Sequence, residues 1–276
     1  MICAVFWNIG RKGPREGIVR LITDLQVQED ADIIALAECS DQVVATVLRA
    51  LNPRGRSPAF NLIPTTSRVR LLVRGPVPGT HELDSHEYYS VVHLLPNVGP
   101  ALILVVVHMV SLVSKDRGHI DHELTLLAGA IRKAEDSLQH SRTILLGDLN
   151  ANPFADGVVN ASGLHGVMSR AVAARGSRQA SHRLYPFFFN PMWQFFGDGE
   201  SQPAGSCYYE PEGAHTGYYW NLFDQVLIRP CLLPYYANDL VKIVSLIAGK
   251  RLTQSNWIPD RSIGSDHLPV RLRLTR

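Results

Sequence analysis

The chain has 276 residues, 46% of them hydrophobic, and carries a formal net charge of +2 at pH 7. It can therefore bury a large core, which excludes a disordered chain, while the net charge by itself says little and its distribution says more. No uninterrupted apolar run approaches the ~20 residues of a membrane helix. The segment Met1 to Phe6 is apolar but lacks a basic n-region and meets Asn8 at once, so no signal peptide is expected and the predicted location is cytoplasmic.

In chain order, Ile2 to Trp7 reads as a buried strand closed by Asn8. A basic turn with Pro14 follows, then helical spacing over Glu16 to Gln28. Asp32 to Ala37 is a second buried strand, closed by Glu38, and Asp41 to Leu51 a second helix with Ser40 or Asp41 as N-cap. Short strands are predicted near Ala59–Ile63 and Val69–Val73. Tyr88 to Leu95 and Ala101 to Val107 form a hairpin, and the second of these ends at His108. An amphipathic helix over Ile120 to Ala134 leads into Ile144-Leu145-Leu146-Gly147-Asp148-Leu149-Asn150. After a looser region, Phe223 to Ile228 and Val241 to Ile247 read as strands, and Leu268 to Leu274 closes the chain behind Ser265-Asp266-His267. Cys3, Cys39, Cys207 and Cys231 show no CxxC spacing and are expected as free thiols. No linker or repeat divides residues 1–276, so a single domain is expected, with an aromatic-rich insertion at about 185–220.

Asp148 and Asn150 share a side of their strand end through the two-residue period, although Asp and Asn also serve as plain turn residues. The other strand ends add weight. Apolar runs stop at Asn8, Glu38, His108 and Asp148, and two others start at Asp224 and at Asp266-His267. If the latter strands run antiparallel to the former, all these groups meet at one sheet edge, as a site requires.

Trp7-Asn8, Glu38, His108, Gly147-Asp148-Leu149-Asn150, Asp224 and Ser265-Asp266-His267-Leu268-Pro269-Val270, in that order, resemble the endonuclease/exonuclease/phosphatase (DNase I-like) superfamily. The resemblance implies an α/β fold, a four-layer α/β/β/α sandwich of two packed mixed sheets, with a divalent metal at the sheet edge. It implies Glu38 as first metal ligand, helped by Asp266 and Asn8, with Mg²⁺ expected and Mn²⁺ accepted by the same oxygen donors. Asp148 would orient or deprotonate the attacking water and Asn150 would bind a phosphate oxygen. His267 would donate to the phosphate, held by Asp224, and His108 would sit on the leaving-group side. Abasic-site endonucleases carry Tyr where this chain has His108, which points away from that branch.

Two features bear on the substrate. Residues 157–197 contain no acid but include Arg170, Arg175, Arg178 and Arg183, either a basic surface for an anion or a solvated segment. Between Tyr185 and Trp220 lie 12 of the 22 aromatics, where proportion gives about three. Tyr218, Tyr219 and Trp220, just before Asp224, are the expected substrate contacts, with stacking or local core packing as the two readings. The expected activity is metal-dependent phosphodiester hydrolysis by a nuclease with nucleic acid as substrate; the alternatives are a phosphatase, a sphingomyelinase-type lipid phosphodiesterase and an inactive binding homologue. His119 and His122 read as a solvated first helical turn rather than a metal site, and Arg11, Lys12, Arg15 and Lys115 as basic loops as readily as phosphate contacts.

Overall fold

The computed structural model describes residues 2–10, 15–55, 57–75, 78–96, 99–111, 116–197, 202–210 and 217–275. Arg11, Lys12 and Lys115 lie outside these residues, as does the side chain of Arg15. The chain opens with β1 (Ile2–Asn8), α1 (Arg15–Glu29), β2 (Ile33–Ala37) and α2 (Asp41–Leu51), followed by β3 (Phe60–Ile63) and β4 (Arg70–Arg74). Then come β5 (His81–His86), β6 (Tyr89–Leu94), β7 (Leu102–His108), α3 (Arg117–Leu138) and β8 (Thr143–Asp148). The region after β8 holds short elements: α4 (Asp156–Val159), β9 (Gly166–Val167), α5 (Arg170–Ala173), β10 (Ser177–Ala180), β11 (Arg183–Pro186), β12 (Phe188–Phe189), β13 (Cys207–Tyr208) and β14 (Trp220–Asn221). The chain ends through β15 (Asp224–Ile228), β16 (Val241–Ile243), β17 (Leu246–Ile247), β18 (Lys250–Arg251) and β19 (Val270–Leu274).

Two mixed sheets carry the fold. One has six strands in the order β16-β19-β1-β2-β4-β3, the other seven in the order β5-β6-β7-β8-β15-β12-β9. The strand period of two explains how they stack. Leu104, Val106, Ile144, Leu146, Val226 and Ile228 join a core shared with the first sheet and with Leu21, Leu25 and Val47 of α1 and α2. The odd-numbered Ile103, Val105, Leu145 and Leu227 instead meet Leu124, Leu127 and Ile131 of α3. Helices thus cover both outer faces and give the α/β/β/α layering expected of the sequence. Ser40 caps α2, its Oγ accepting from the Val43 amide at 3.3 Å, and Asp116 caps α3 through the His119 amide at 2.8 Å.

The strand β5 was not legible as one, because its half-exposed residues, HELDSH, lack an apolar face. It sits at the sheet edge beyond β6, where polar residues are tolerated and discourage further pairing. The expected strand over Val241 to Ile247 divides into β16 and β17, which join different sheets. Within the aromatic-rich segment, Phe187, Phe188, Phe189 and Phe195 are buried, whereas Tyr209, Tyr218 and Tyr219 remain exposed. The segment therefore packs part of its aromatic content into the core and leaves part of it exposed.

Candidate active site

β1 and β2 run parallel, as do β7 and β8, while β15 is antiparallel to β8 and β19 antiparallel to β1. The strand-end residues therefore converge on one edge. His108 is in register with Asp148, and Asp148 with Asp224. Alternation then sets which way they face. His108, Asp148 and Asp224 share the parity of the inner-face residues Val106, Leu146 and Val226. In β1, Val5 and Trp7 lie beside Ile22 and Leu25 of α1, which leaves Asn8 on the side facing the second sheet. Glu38 departs from this rule. Ile34 and Leu36 face α1, so strict alternation would send Glu38 to the helix layer. Its left-handed backbone (φ +54°) breaks the period, and the carboxylate lines the same cleft as the others.

That cleft has a volume of about 490 Å³. Asp148 is at its base, 1% exposed, and both its oxygens are engaged. Oδ2 accepts from Asn8 Nδ2 at 3.1 Å and Oδ1 from the Asn150 amide at 2.8 Å. Asn150 adopts φ +46°, a conformation asparagine tolerates better than most residues, and its Nδ2 donates to the Met109 carbonyl at 2.9 Å. The glycine before Asp148 has a steric cause: a Cβ at Gly147 would run into the Val107 backbone of the neighbouring strand.

His267 Nδ1 lies 2.8 Å and 3.1 Å from the two oxygens of Asp224, and 3.9 Å from Asp148 Oδ2. Burial alone would lower the imidazole; the Asp224 carboxylate, with Asp148 nearby, overrides it and holds His267 well above its ordinary value. The backbone is fixed as tightly: Trp7 Nε1 donates to the His267 carbonyl at 2.9 Å, and the His267 amide donates to Ser265 Oγ at 3.2 Å. Glu38 Oε1 stands 3.8 Å from His108 Nε2, and His108 Nδ1 is buried with no hydrogen-bond partner among the described residues. Asp266 borders the cleft, paired with Arg261 at 3.0 Å.

A family model for the endonuclease/exonuclease/phosphatase family matches residues 5–267, a span that takes in every one of these groups. The chain belongs to that family. Its members hydrolyse phosphoester bonds. Truncated Caenorhabditis elegans TDP2 is similar in structure (TM-score 0.55, 14% identity, covering 100% of this chain and 98% of that one). So is D. rerio TDP2 complexed with single strand DNA product (TM-score 0.54, 16% identity, 98% and 97% covered). The 3′ phosphatase NExo from Neisseria, bound to product DNA hairpin, gives a TM-score of 0.56 at 15% identity, with 100% of both chains covered. At these identities the likeness is one of fold. No curated protein sequence matches the chain.

Divalent metals are typical of the endonuclease/exonuclease/phosphatase family, and the donor sets here differ in how well they suit one. Asp148, Asp224 and His267 offer donor atoms within 4.8 Å of one another. All three are already committed, Asp148 to Asn8 and Asn150 and Asp224 to His267, so a cation there would have to break an ion pair. Glu38 and Asp266, themselves 3.8 Å from His108 and 3.0 Å from Arg261, fit better because they are not buried. Their carboxylate side chains are 26% and 37% exposed and open to the cleft, as a hard, partly hydrated cation requires. Asn8, expected beside them as a ligand, has its Nδ2 on Asp148 and its Oδ1 on the Gly10 amide at 3.1 Å.

The eight strand-end residues expected of the family sequence thus meet at one edge, and the predicted substrate contacts do not. Arg170 stacks over Tyr236 at 5.0 Å, and Arg178 Nε donates to His165 Nε2 at 3.0 Å. Arg175 and Arg183 are exposed, and none of these four arginines lines the cleft. Tyr219 and Trp220 stand one ring behind it, packed on Tyr208 at 6.4 Å and 5.4 Å. Tyr208 and Tyr209 line the cleft instead, with Cys207 and Phe223. Pattern reading missed Cys207, whose position comes from a bridge between its backbone and that of His267. His119, in the first turn of α3, lies 3.9 Å from Glu123. Among the described residues no helix is long and apolar enough to cross a membrane.

Proposed function

We propose that residues 1–276 form one catalytic domain, a divalent-metal-dependent phosphodiesterase that cleaves nucleic acid by in-line attack of water. The observation that carries this reading is the Asp224–His267 pair facing Asp148 across the cleft base. A cationic imidazole beside a buried carboxylate places a positive donor and a proton acceptor at the same point, as phosphoryl transfer to water requires.

Glu38, with Asp266, would hold the cation, Mg²⁺ or Mn²⁺, which would supply positive charge against the phosphate oxygens when bound. Asp148, oriented by Asn8, takes a proton from the attacking water as its oxygen bonds to phosphorus and the opposite P–O ester bond breaks. Asn150 holds a phosphate oxygen. His267 donates to another, kept cationic by Asp224. His108 stands on the leaving-group side beside Glu38 and is positioned to return a proton to the departing oxygen. Nucleic acid is favoured as substrate by the structural relatives solved with DNA products, and by the aromatic side chains at and beside the cleft.

The test is hydrolysis by EDTA-treated protein resupplied with Mg²⁺ or Mn²⁺ and offered plasmid, single-stranded DNA, RNA and a small phosphodiester, with His267→Ala as control. Metal-dependent cleavage of a polynucleotide, lost in the variant, is expected. Turnover of the small phosphodiester alone would replace this reading with the phosphatase or lipid-phosphodiesterase alternative.

A further inference from the structure

Beside the cleft, and continuous with it at Asn150 and Phe223, lies a second cavity of about 290 Å³. Its walls include Phe154, four residues beyond Asn150 in the loop that leaves β8, and Tyr218. Both are exposed, Phe154 by 38% and Tyr218 by 49%. Their rings meet at 5.4 Å with a 58° tilt, and Phe154 is backed by Phe196 at 5.7 Å and Trp193 at 6.4 Å. A buttressed pair of aromatic faces left in water next to a polar site marks a surface awaiting an apolar, flat partner.

The polar groups around the cavity are largely spoken for. Asn152 Nδ2 donates to Asn221 Oδ1 at 2.9 Å, and its Oδ1 accepts from the Leu222 amide at 2.8 Å. Asp121 Oδ1 accepts from the Gly157 amide at 2.7 Å. The wall therefore offers stacking area more than donors and acceptors that would read a base edge. At other residues the cleft shares Tyr208, Tyr209, Arg261 and Asp266 with a polar depression of about 520 Å³. The cleft is thus continuous with both an aromatic cavity and a polar groove, a layout that suits a diester with two substituents.

We propose that the Phe154–Tyr218 cavity is a stacking subsite for the nucleobase next to the scissile phosphate, holding the base without selecting its identity. This rests on the phosphodiesterase reading above and adds the part of the substrate that the enzyme grips. Because the two rings already touch, the base lies against their cavity side rather than between them. Arg117, on the same wall, is placed to meet the backbone of the neighbouring nucleotide.

The experiment uses trinucleotides with a phosphorothioate at the scissile position and 2-aminopurine on one side of it or the other, alongside the same strands with tetrahydrofuran replacing that base. In the wild-type protein, 2-aminopurine fluorescence from one of the two positions is expected to be quenched on binding. The base-bearing strand should bind about 10-fold more tightly than its abasic counterpart. Phe154→Leu and Tyr218→Leu, each checked to keep the wild-type thermal midpoint, should abolish the quench and the preference while leaving affinity for the abasic strand unchanged. Equal quenching in wild type and variants, or no preference for the base-bearing strand, overturns the subsite. Hydrolysis is read separately. Quenching that depends on Phe154, in a protein that cleaves nothing, upholds the subsite and removes the hydrolase reading; cleavage without preference does the reverse.

Discussion

His267 and Asp224 face each other so that one imidazole nitrogen, Nδ1, meets both carboxylate oxygens, at 2.8 Å and 3.1 Å, in a position where Asp224 is fully buried. The pairing leaves the other ring nitrogen as the atom that can address a substrate, and it ties the proton on His267 to the charge on Asp224.

Replacing Asp224 by Asn should therefore lower kcat by about 10²-fold or more on a small phosphodiester, within the range of lost acid–base assistance. The variant should also lose activity at lower pH than the wild type. In the proposed mechanism His267 works as a cation; its pKa is raised in the folded protein, and the cation is lost as pH rises through the raised value. A profile whose alkaline limb does not move would argue against the pair.

The same shift has a stability counterpart. Folded His267 holds its proton more tightly than the unfolded chain, so its contribution is complete below about pH 6.5 and is lost as pH rises through the folded value. Urea unfolding of EDTA-treated protein should show this decline in the wild type and a smaller one in His267→Gln.

Glu38→Gln should keep the fold and lose the metal response. In the wild type, Mg²⁺ or Mn²⁺ at about 100 times its dissociation constant is expected to add about 2.7 kcal/mol to stability. A thermal melt that still rises with metal in the variant would move the ligand role away from Glu38.

Gly147→Ala tests the strand packing that presents Asp148. The new methyl group meets the Val107 backbone, so β7 and β8 must part, at a cost of about 1–3 kcal/mol or more. Denaturant titration measures it.

Far from the cleft, Arg229 is 2% exposed and its Nε and Nη2 donate to Glu135 at 2.8 Å and 3.1 Å. Its guanidinium also lies 3.8 Å from the Phe188 ring centroid. Glu135→Ala should destabilise the protein by about 3–5 kcal/mol, because it strands a buried cation, with turnover per folded molecule unchanged at low temperature.

The layering and the edge where the polar groups meet could be read from the chain because strand parity is a sequence property. Apolar runs ending on Asn8, His108 and Asp148 carry their own statement of which face those residues take. What parity cannot state is a partner. Asn8, expected beside a cation, turns its amide to Asp148, since that choice depends on how two sheets separated in sequence come together. Arg170 and Arg178 looked available as charges and are occupied by Tyr236 and His165, contacts that no spacing reveals. Phe154 went unnoticed for the opposite reason: a single Phe in a turn is ordinary until its exposure and neighbours are known.

The Trp7 indole holds the His267 carbonyl across 260 positions of chain, and Asn8 holds Asp148 across 140. Assembly of the cleft therefore needs nearly the whole chain. A nascent chain whose residues 265–274 are still inside the ribosome has no His267 pair and no β19 beside β1. If the site cleaves nucleic acid as proposed, this works as a built-in safety catch, because only chains synthesised through β19 and docked sheet to sheet carry the assembled site.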